Sequence, residues 1–118
     1  MLVNVLRSKI HRARVVDTNT EYEGSITIYE DLMKQANIVE YEQVQVVNVN
    51  NGQRFVTYVI KGDTQGDITL NGAAARLAEP GDVIIIMSYG MLDEAELPSY
   101  KPLKVILGEN NEIIRTNK

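Results

Sequence analysis

The chain contains no cysteine, a single histidine and a single phenylalanine in 118 residues. Without thiols it has no disulfide, no thiolate nucleophile, no Cys-based zinc site and no iron-sulfur ligation, and His11 alone cannot build a His-rich metal cluster. Positive charge is not in excess: 12 Lys and Arg stand against 16 Asp and Glu, a net charge of -4. A nucleic-acid footprint needs clustered excess cations, so nucleic acid is not expected as a partner. The longest apolar run, Val83 to Met87, spans five residues, far below the roughly 20 of a membrane helix. Arg7, Lys9 and His11 interrupt the N-terminal segment before a signal-peptide core can form. A cytoplasmic protein without metal and away from membranes is therefore expected. The nucleophile-elbow, P-loop, dinucleotide and zincin motifs are all missing as well.

Present instead are 13 Val and 12 Ile, β-branched residues that suit a pleated, half-buried surface. At this length the chain makes one domain, 1–118, around one core. Strands are expected at 9–16, 25–29, 43–49, 54–60, 67–70, 83–89, 103–107 and 112–115, and short helical turns at 30–37, 73–78 and 93–97. Asn51-Gly52 reads as a two-residue type I′ hairpin turn between the third and fourth of these strands. The reading is mainly β, a small barrel or sandwich with a few short helices.

The remaining chemistry concentrates in a few places. Lys9 and His11 share parity on one strand, as do Arg54 and Tyr58 on another, so each pair projects from one face. Either pair also describes a solvated strand edge. Gly24-Ser25 sits at a loop-to-strand junction, where a hydroxyl can attack the preceding carbonyl if the loop distorts the peptide. The resulting ester, after β-elimination and hydrolysis of dehydroalanine, leaves a pyruvoyl group. Such a carbonyl is an electron sink of the kind that otherwise needs a bound cofactor. Asn71-Gly72-Ala73-Ala74-Ala75 reads as a turn entering a short helix, with little side-chain bulk to keep a ligand from the backbone.

Four segments in order, Ser8-Lys9-Ile10-His11-Arg12, Tyr22-Glu23-Gly24-Ser25, Asn51-Gly52-Gln53-Arg54-Phe55-Val56-Thr57-Tyr58 and Asn71-Gly72-Ala73-Ala74-Ala75, give the whole chain a likeness that thins after Tyr89. The chain resembles the aspartate 1-decarboxylase family. The resemblance implies a double-psi β-barrel, a homotetramer with active sites between subunits, and an inactive precursor cut between Gly24 and Ser25. It implies Ser25 as the source of a covalent pyruvoyl group, Tyr58 as proton donor, and Thr57 with Gly72, Ala73 and Ala74 as substrate contacts. Thr57 is implied in the cleavage too. The implied reaction joins L-aspartate to the pyruvoyl carbonyl as a Schiff base and releases CO2 and β-alanine, a precursor of pantothenate and coenzyme A. Cleavage is either spontaneous or assisted by a maturation factor.

Within that likeness, the carboxylate that survives reaction wants a cation. Arg54 offers it a bidentate fork and Lys9 a second charge, whereas clamping the departing carboxylate would stabilise the ground state. Asn71 is expected to orient the pyruvoyl group or its amide, and His11 and Tyr22 to line or support the pocket. One tension is built in: strand alternation puts Thr57 and Tyr58 on opposite faces, although both belong near one reaction centre. A bulge, a twist or a second subunit is expected to reconcile them. Two other readings are a non-catalytic, unprocessed oligomeric β-barrel that binds a partner, and a pyruvoyl enzyme for another amino acid.

Overall fold

Alternating β-branched and polar residues form strands along most of the computed structural model, which describes residues 1–117. The last residue of the expected domain, Lys118, lies outside the described residues. The elements in chain order are β1 (Leu2–Arg14), β2 (Asp17–Asn19), β3 (Ser25–Tyr29), α1 (Glu30–Ala36), β4 (Gln43–Asn48), β5 (Arg54–Gly62), β6 (Ile68–Asn71), a 3-10 helix (Gly72–Leu77), β7 (Val83–Asp93), a second 3-10 helix (Glu94–Ser99), β8 (Leu103–Leu107) and β9 (Ile113–Thr116). The strands hydrogen-bond in the order β2-β6-β3-β5-β4-β7-β1-β8-β9. The pairs β1·β8, β2·β6 and β3·β5 are parallel and the others antiparallel.

The sheet curls so that its distant parts meet. Asn111, in the β8–β9 turn, donates from Nδ2 to the carbonyls of Arg14 and Gly66, both at 2.9 Å, and its own carbonyl accepts from the Tyr29 hydroxyl at the end of β3. Inside the curl Ile10, Ile26, Ile28, Val46, Ile68, Ile84, Ile86 and Val105 are fully buried. These are contributions from six different strands, β8 among them, each such side chain stabilising the fold by about 1.5 to 3 kcal/mol. Helix α1 covers one side with Leu32, Met33 and Ala36; Glu30 and Asp31 complement its N-terminal dipole, and Asn37 ends it in the left-handed conformation.

Two expectations need correcting. The β4–β5 connection is not a two-residue turn. Val47 pairs with Arg54, the Asn48 amide donates to the Gln53 carbonyl, and the Gly52 amide donates to Asn48. Gly52 alone in that loop has positive φ, at 76°. The wider loop follows from Asn48, whose buried carboxamide reaches Leu77 and Asp82 and accepts from the Asn50 amide. The first strand starts at Leu2 rather than residue 9, its run broken by bulges between Leu6 and Ser8 and between Ile10 and Ala13. Arg12, at φ 67°, is the residue that absorbs the second bulge.

Tyr29 yields a prediction for alkaline stability. Burial, then the negative charges of Asp31 and Glu112, push its phenol up to about 12. Below pH 10 the phenol is neutral in folded and unfolded chains alike, so it adds no pH dependence. Between the unfolded value and about 12, the unfolded chain ionises while the folded one does not, and stability falls as pH rises. Urea unfolding is expected to show the wild type losing about 2 kcal/mol more than Tyr29→Phe across this window. Equal slopes for the two proteins contradict the assignment.

Candidate active site

The Gly24–Ser25 peptide lies at a fork between two strands. β3 pairs with β6 from Ser25↔Asn71 onward but with β5 only from Ile26↔Val59. Gly24 is beyond both ladders, and the edge of β5 from Arg54 to Tyr58 opposite β4 is left without a strand partner. A cavity of about 350 Å³ opens there, lined by Gly24, Thr57, Tyr58, Ala73 and Ala74, with Phe55 and Leu77 supplying apolar wall.

Ser25 is fully buried. Its hydroxyl donates to the Glu23 carbonyl at 2.9 Å and accepts from Asn71 Nδ2 at 3.0 Å. The second Nδ2 hydrogen of Asn71 goes to Thr27 Oγ1 at 3.0 Å. Gly72, at φ 66°, holds the loop in place: a Cβ there would lie 2.5 Å from Gly24 N and 2.9 Å from the Tyr22 carbonyl oxygen. A residue without a Cβ is thus required where the 3-10 helix begins beside the Gly24–Ser25 peptide.

Thr57 and Tyr58 meet the same cavity without any bulge, because the β4–β5 register is regular from Gln43↔Tyr58 to Val47↔Arg54. Their side chains do take opposite faces, but the cavity lies at the open strand edge and touches both. Of the expected reconciliations, the bulge is absent. Tyr58 is flanked by Tyr41, ring centroids 6.5 Å apart.

Other candidates stand apart from this group within one chain. Arg54 is exposed at the start of β5 and does not line the cavity; it forms no ion pair among the described residues. Tyr22 is half exposed, and its backbone rather than its ring packs on Gly72. Lys9 pairs with Met87, which pairs with Gln45, which pairs with Val56, so Lys9 and β5 are three strand spacings apart, about 14 Å along the sheet. His11 is beside Lys9 on β1, its Nδ1 buried without a partner. Burial, then Lys9 and Arg12, lower its pKa and keep the ring neutral at pH 7.

Thr27, Tyr41 and Leu77 were not legible as site residues. Ser25 and Thr27 share strand parity, a signal available in Ser-Ile-Thr, but nothing in the order of residues links Tyr41 or Leu77 to the fork. A larger groove of about 570 Å³ lies at the opposite group of loops, among Arg14, Asp17, Gly66, Asp67 and Asn111. It contains none of the candidate residues, and we place the chemistry in the smaller cavity beside Ser25. No described helix is long and apolar enough to cross a membrane, and the described residues contain no group of three or more His, Asp or Glu placed to hold a metal ion.

Known proteins are similar to nearly the whole of this sequence. The sequence model of the family described as Aspartate decarboxylase matches residues 1–114, which includes the segment after Tyr89. Proteins named aspartate 1-decarboxylase are similar to this chain in several bacteria. That of Acetivibrio thermocellus is 56% identical over 115 residues, 97% of this chain and 91% of the relative. That of Caldicellulosiruptor bescii is 57% identical over 116 residues, 98% and 91% of the two chains. That of Bacillus cereus is 53% identical over 115 residues, 97% and 91%.

Proposed function

This chain belongs to the aspartate decarboxylase family, whose fold is the double-psi β-barrel, and we propose that Ser25 is the residue from which its active group is made and that the cavity at the β3 fork is its active site. The activity is aspartate 1-decarboxylation: L-aspartate yields β-alanine and CO2, and β-alanine feeds pantothenate biosynthesis. The family's pyruvoyl group derives from a serine. When formed, it supplies a carbonyl that accepts the electrons left behind as CO2 departs.

The residues at the fork fit that group. The observation that carries the assignment is Ser25 itself, buried between Asn71 Nδ2 and the Glu23 carbonyl, next to a glycine that lines a cavity. Attack of Ser25 Oγ on the Gly24 carbonyl forms a C–O bond and breaks the C–N bond, the hydroxyl proton passing to the Ser25 nitrogen. Loss of the Ser25 Cα proton to water then forms the Cα–Cβ double bond and expels Oγ within the Gly24 carboxylate. Water enters at Cα and ammonia leaves. Domain 1–118 becomes chains 1–24 and 25–118. Asn71 Nδ2 is placed to donate to the leaving oxygen, and Thr57 lines the cavity beside Gly24, as a cleavage and substrate residue should.

Tyr58 is the proton donor in this reading. Its phenol shares the cavity with Gly24 and is a general acid of the kind worth about 10² to 10⁴ in rate. Gly72, Ala73 and Ala74 are the small-residue substrate contacts, the two alanines lining the cavity. Arg54, exposed and outside the cavity within one chain, holds the retained carboxylate in a site completed by a second copy, with Lys9 as a second cation; His11, neutral, and Tyr22 support the pocket. Because Lys9 and His11 are three strands from β5 in one chain, a second copy has to bring them to the cavity. The exposed apolar side chains Val56, Tyr89 and Met91 on β5 and β7 give such a contact an apolar surface. We therefore assign a homotetramer with sites between subunits, acting in the cytoplasm, with cleavage either spontaneous or assisted by a maturation factor.

Incubation with aspartate, glutamate, histidine and arginine tests the activity: β-alanine and CO2 are expected from aspartate alone. Tyr58→Phe is expected to be cleaved normally but to turn over aspartate at least about 100-fold more slowly. Turnover of this variant at the wild-type rate removes Tyr58 as the donor.

A further inference from the structure

We propose that Thr27 is a positioning residue for the maturation of Ser25, and that Gly62 sets the rotamer in which it acts. The inference rests on the assignment of Ser25 as the self-processing serine. Ser25 commits its hydroxyl proton to the Glu23 carbonyl at 2.9 Å, so it turns a lone pair toward Asn71, and only the N–H side of that carboxamide can face it. The geometry at Asn71 is 3.0 Å to Ser25 Oγ and 3.0 Å to Thr27 Oγ1. Thr27 thus takes the second hydrogen of the same Nδ2, and the carboxamide can neither flip nor rotate without breaking a hydrogen bond in a site where Asn71 is buried.

A threonine hydroxyl has two common rotamers, and the choice between them is made across the sheet. Gly62, on β5, faces Thr27 on β3. A Cβ on Gly62 would come 2.8 Å from Thr27 Cγ2, while its other neighbours lie at ordinary contact distances of 3.5 Å or more. The missing Cβ therefore leaves a notch that seats the Thr27 methyl, and with the methyl seated the hydroxyl points at Asn71. Gly62 has no positive φ, so space and not backbone conformation explains glycine at this position. The chain from Gly62 through Thr27 and Asn71 to Ser25 keeps an N–H on Oγ while the Cβ–Oγ bond breaks and negative charge collects on that oxygen. The step served is the elimination, not the first attack.

The test follows cleavage of the freshly purified chain by intact mass, with hydroxylamine to open any Gly24–Ser25 ester. Thr27→Val keeps the methyl in its notch and removes the acceptor; cleavage is expected to slow roughly tenfold or more, with full-length, hydroxylamine-sensitive chain accumulating. Thr27→Ser is expected to cleave within a few-fold of the wild type. Gly62→Ala is expected to slow cleavage by forcing the methyl out, and Gly62→Ala combined with Thr27→Ser to restore it, a rescue that mere loss of packing would not give. Thr27→Val cleaving as fast as the wild type, or no rescue in the double variant, overturns the inference while leaving the Ser25 reading intact. A wild-type chain that never cleaves overturns both.

Discussion

Ser25→Ala is expected to leave the protein as one uncut chain with no detectable β-alanine production. The expectation follows from the absence of a second nucleophile next to the Gly24 carbonyl: the residue before the scissile bond is glycine, and the cavity beside it is lined by Thr57, Tyr58 and apolar residues. Thr57 is on β5 across the cavity and cannot replace an adjacent hydroxyl in an acyl shift to its own neighbour's carbonyl. Wild-type protein is expected to show two masses, residues 1–24 and residues 25–118, the second lighter by one ammonia than a fragment beginning with serine. The variant is expected to fold. Asn71 keeps its bond to Thr27, and the two hydrogen bonds lost with the Ser25 hydroxyl cost about 1 kcal/mol each. Intact-mass measurement with a thermal melt checks both halves, and a Ser25→Ala preparation that decarboxylates aspartate refutes the assignment.

Gly72→Ala is expected to be nearly as damaging to cleavage, through geometry and not chemistry. A side chain there meets two independent obstacles. The backbone at φ 66° is left-handed, which costs a non-glycine residue about 1 to 2 kcal/mol. The Cβ would also lie 2.6 Å from the Gly24 Cα, so the loop carrying the scissile peptide has to move by about an ångström, a displacement worth about 100-fold in rate at a reacting centre. Gly52→Ala separates the two effects. Gly52 has a similar φ of 76° but nothing within 4 Å of the added Cβ. Gly52→Ala is thus expected to lose about 1 kcal/mol of stability and to cleave normally, while Gly72→Ala loses stability and cleaves at least about 100-fold more slowly. Equal cleavage rates in the two variants show that contact between Gly72 and Gly24 does not control the reaction.

The places where sequence reasoning went astray share a cause. Asn51-Gly52 has the composition of a tight turn, but Asn48, three residues earlier, is drawn into contacts with Leu77 and Asp82; a tertiary demand on one side chain widened a loop that local propensity would have closed. Residues 2–8 did not read as strand, and the bulge between Leu6 and Ser8 breaks the alternation that marks one. The Thr57 and Tyr58 pair looked inconsistent only because a strand was pictured with two faces; the open edge of β5 is a third surface, and its existence depends on where β3 stops pairing. The strands at 103–107 and 54–60 and the short helical turns were legible, since their patterns are local.

The order of residues alone determined the chemistry available: no thiol, a single imidazole, a serine directly after a glycine, and a tyrosine four residues after an arginine. Those are properties of residue type and short spacing, and any conformation keeps them. The tertiary structure decided which of them meet. Ser25 and Asn71 touch across 46 residues of chain because an antiparallel register begins at that pair, Gly72 lies under Gly24 because the next element turns there, and Lys9 is three strands from Thr57 because β4 and β7 come between them. Register and strand order are set by the burial of a whole core at once, and no short segment carries that information.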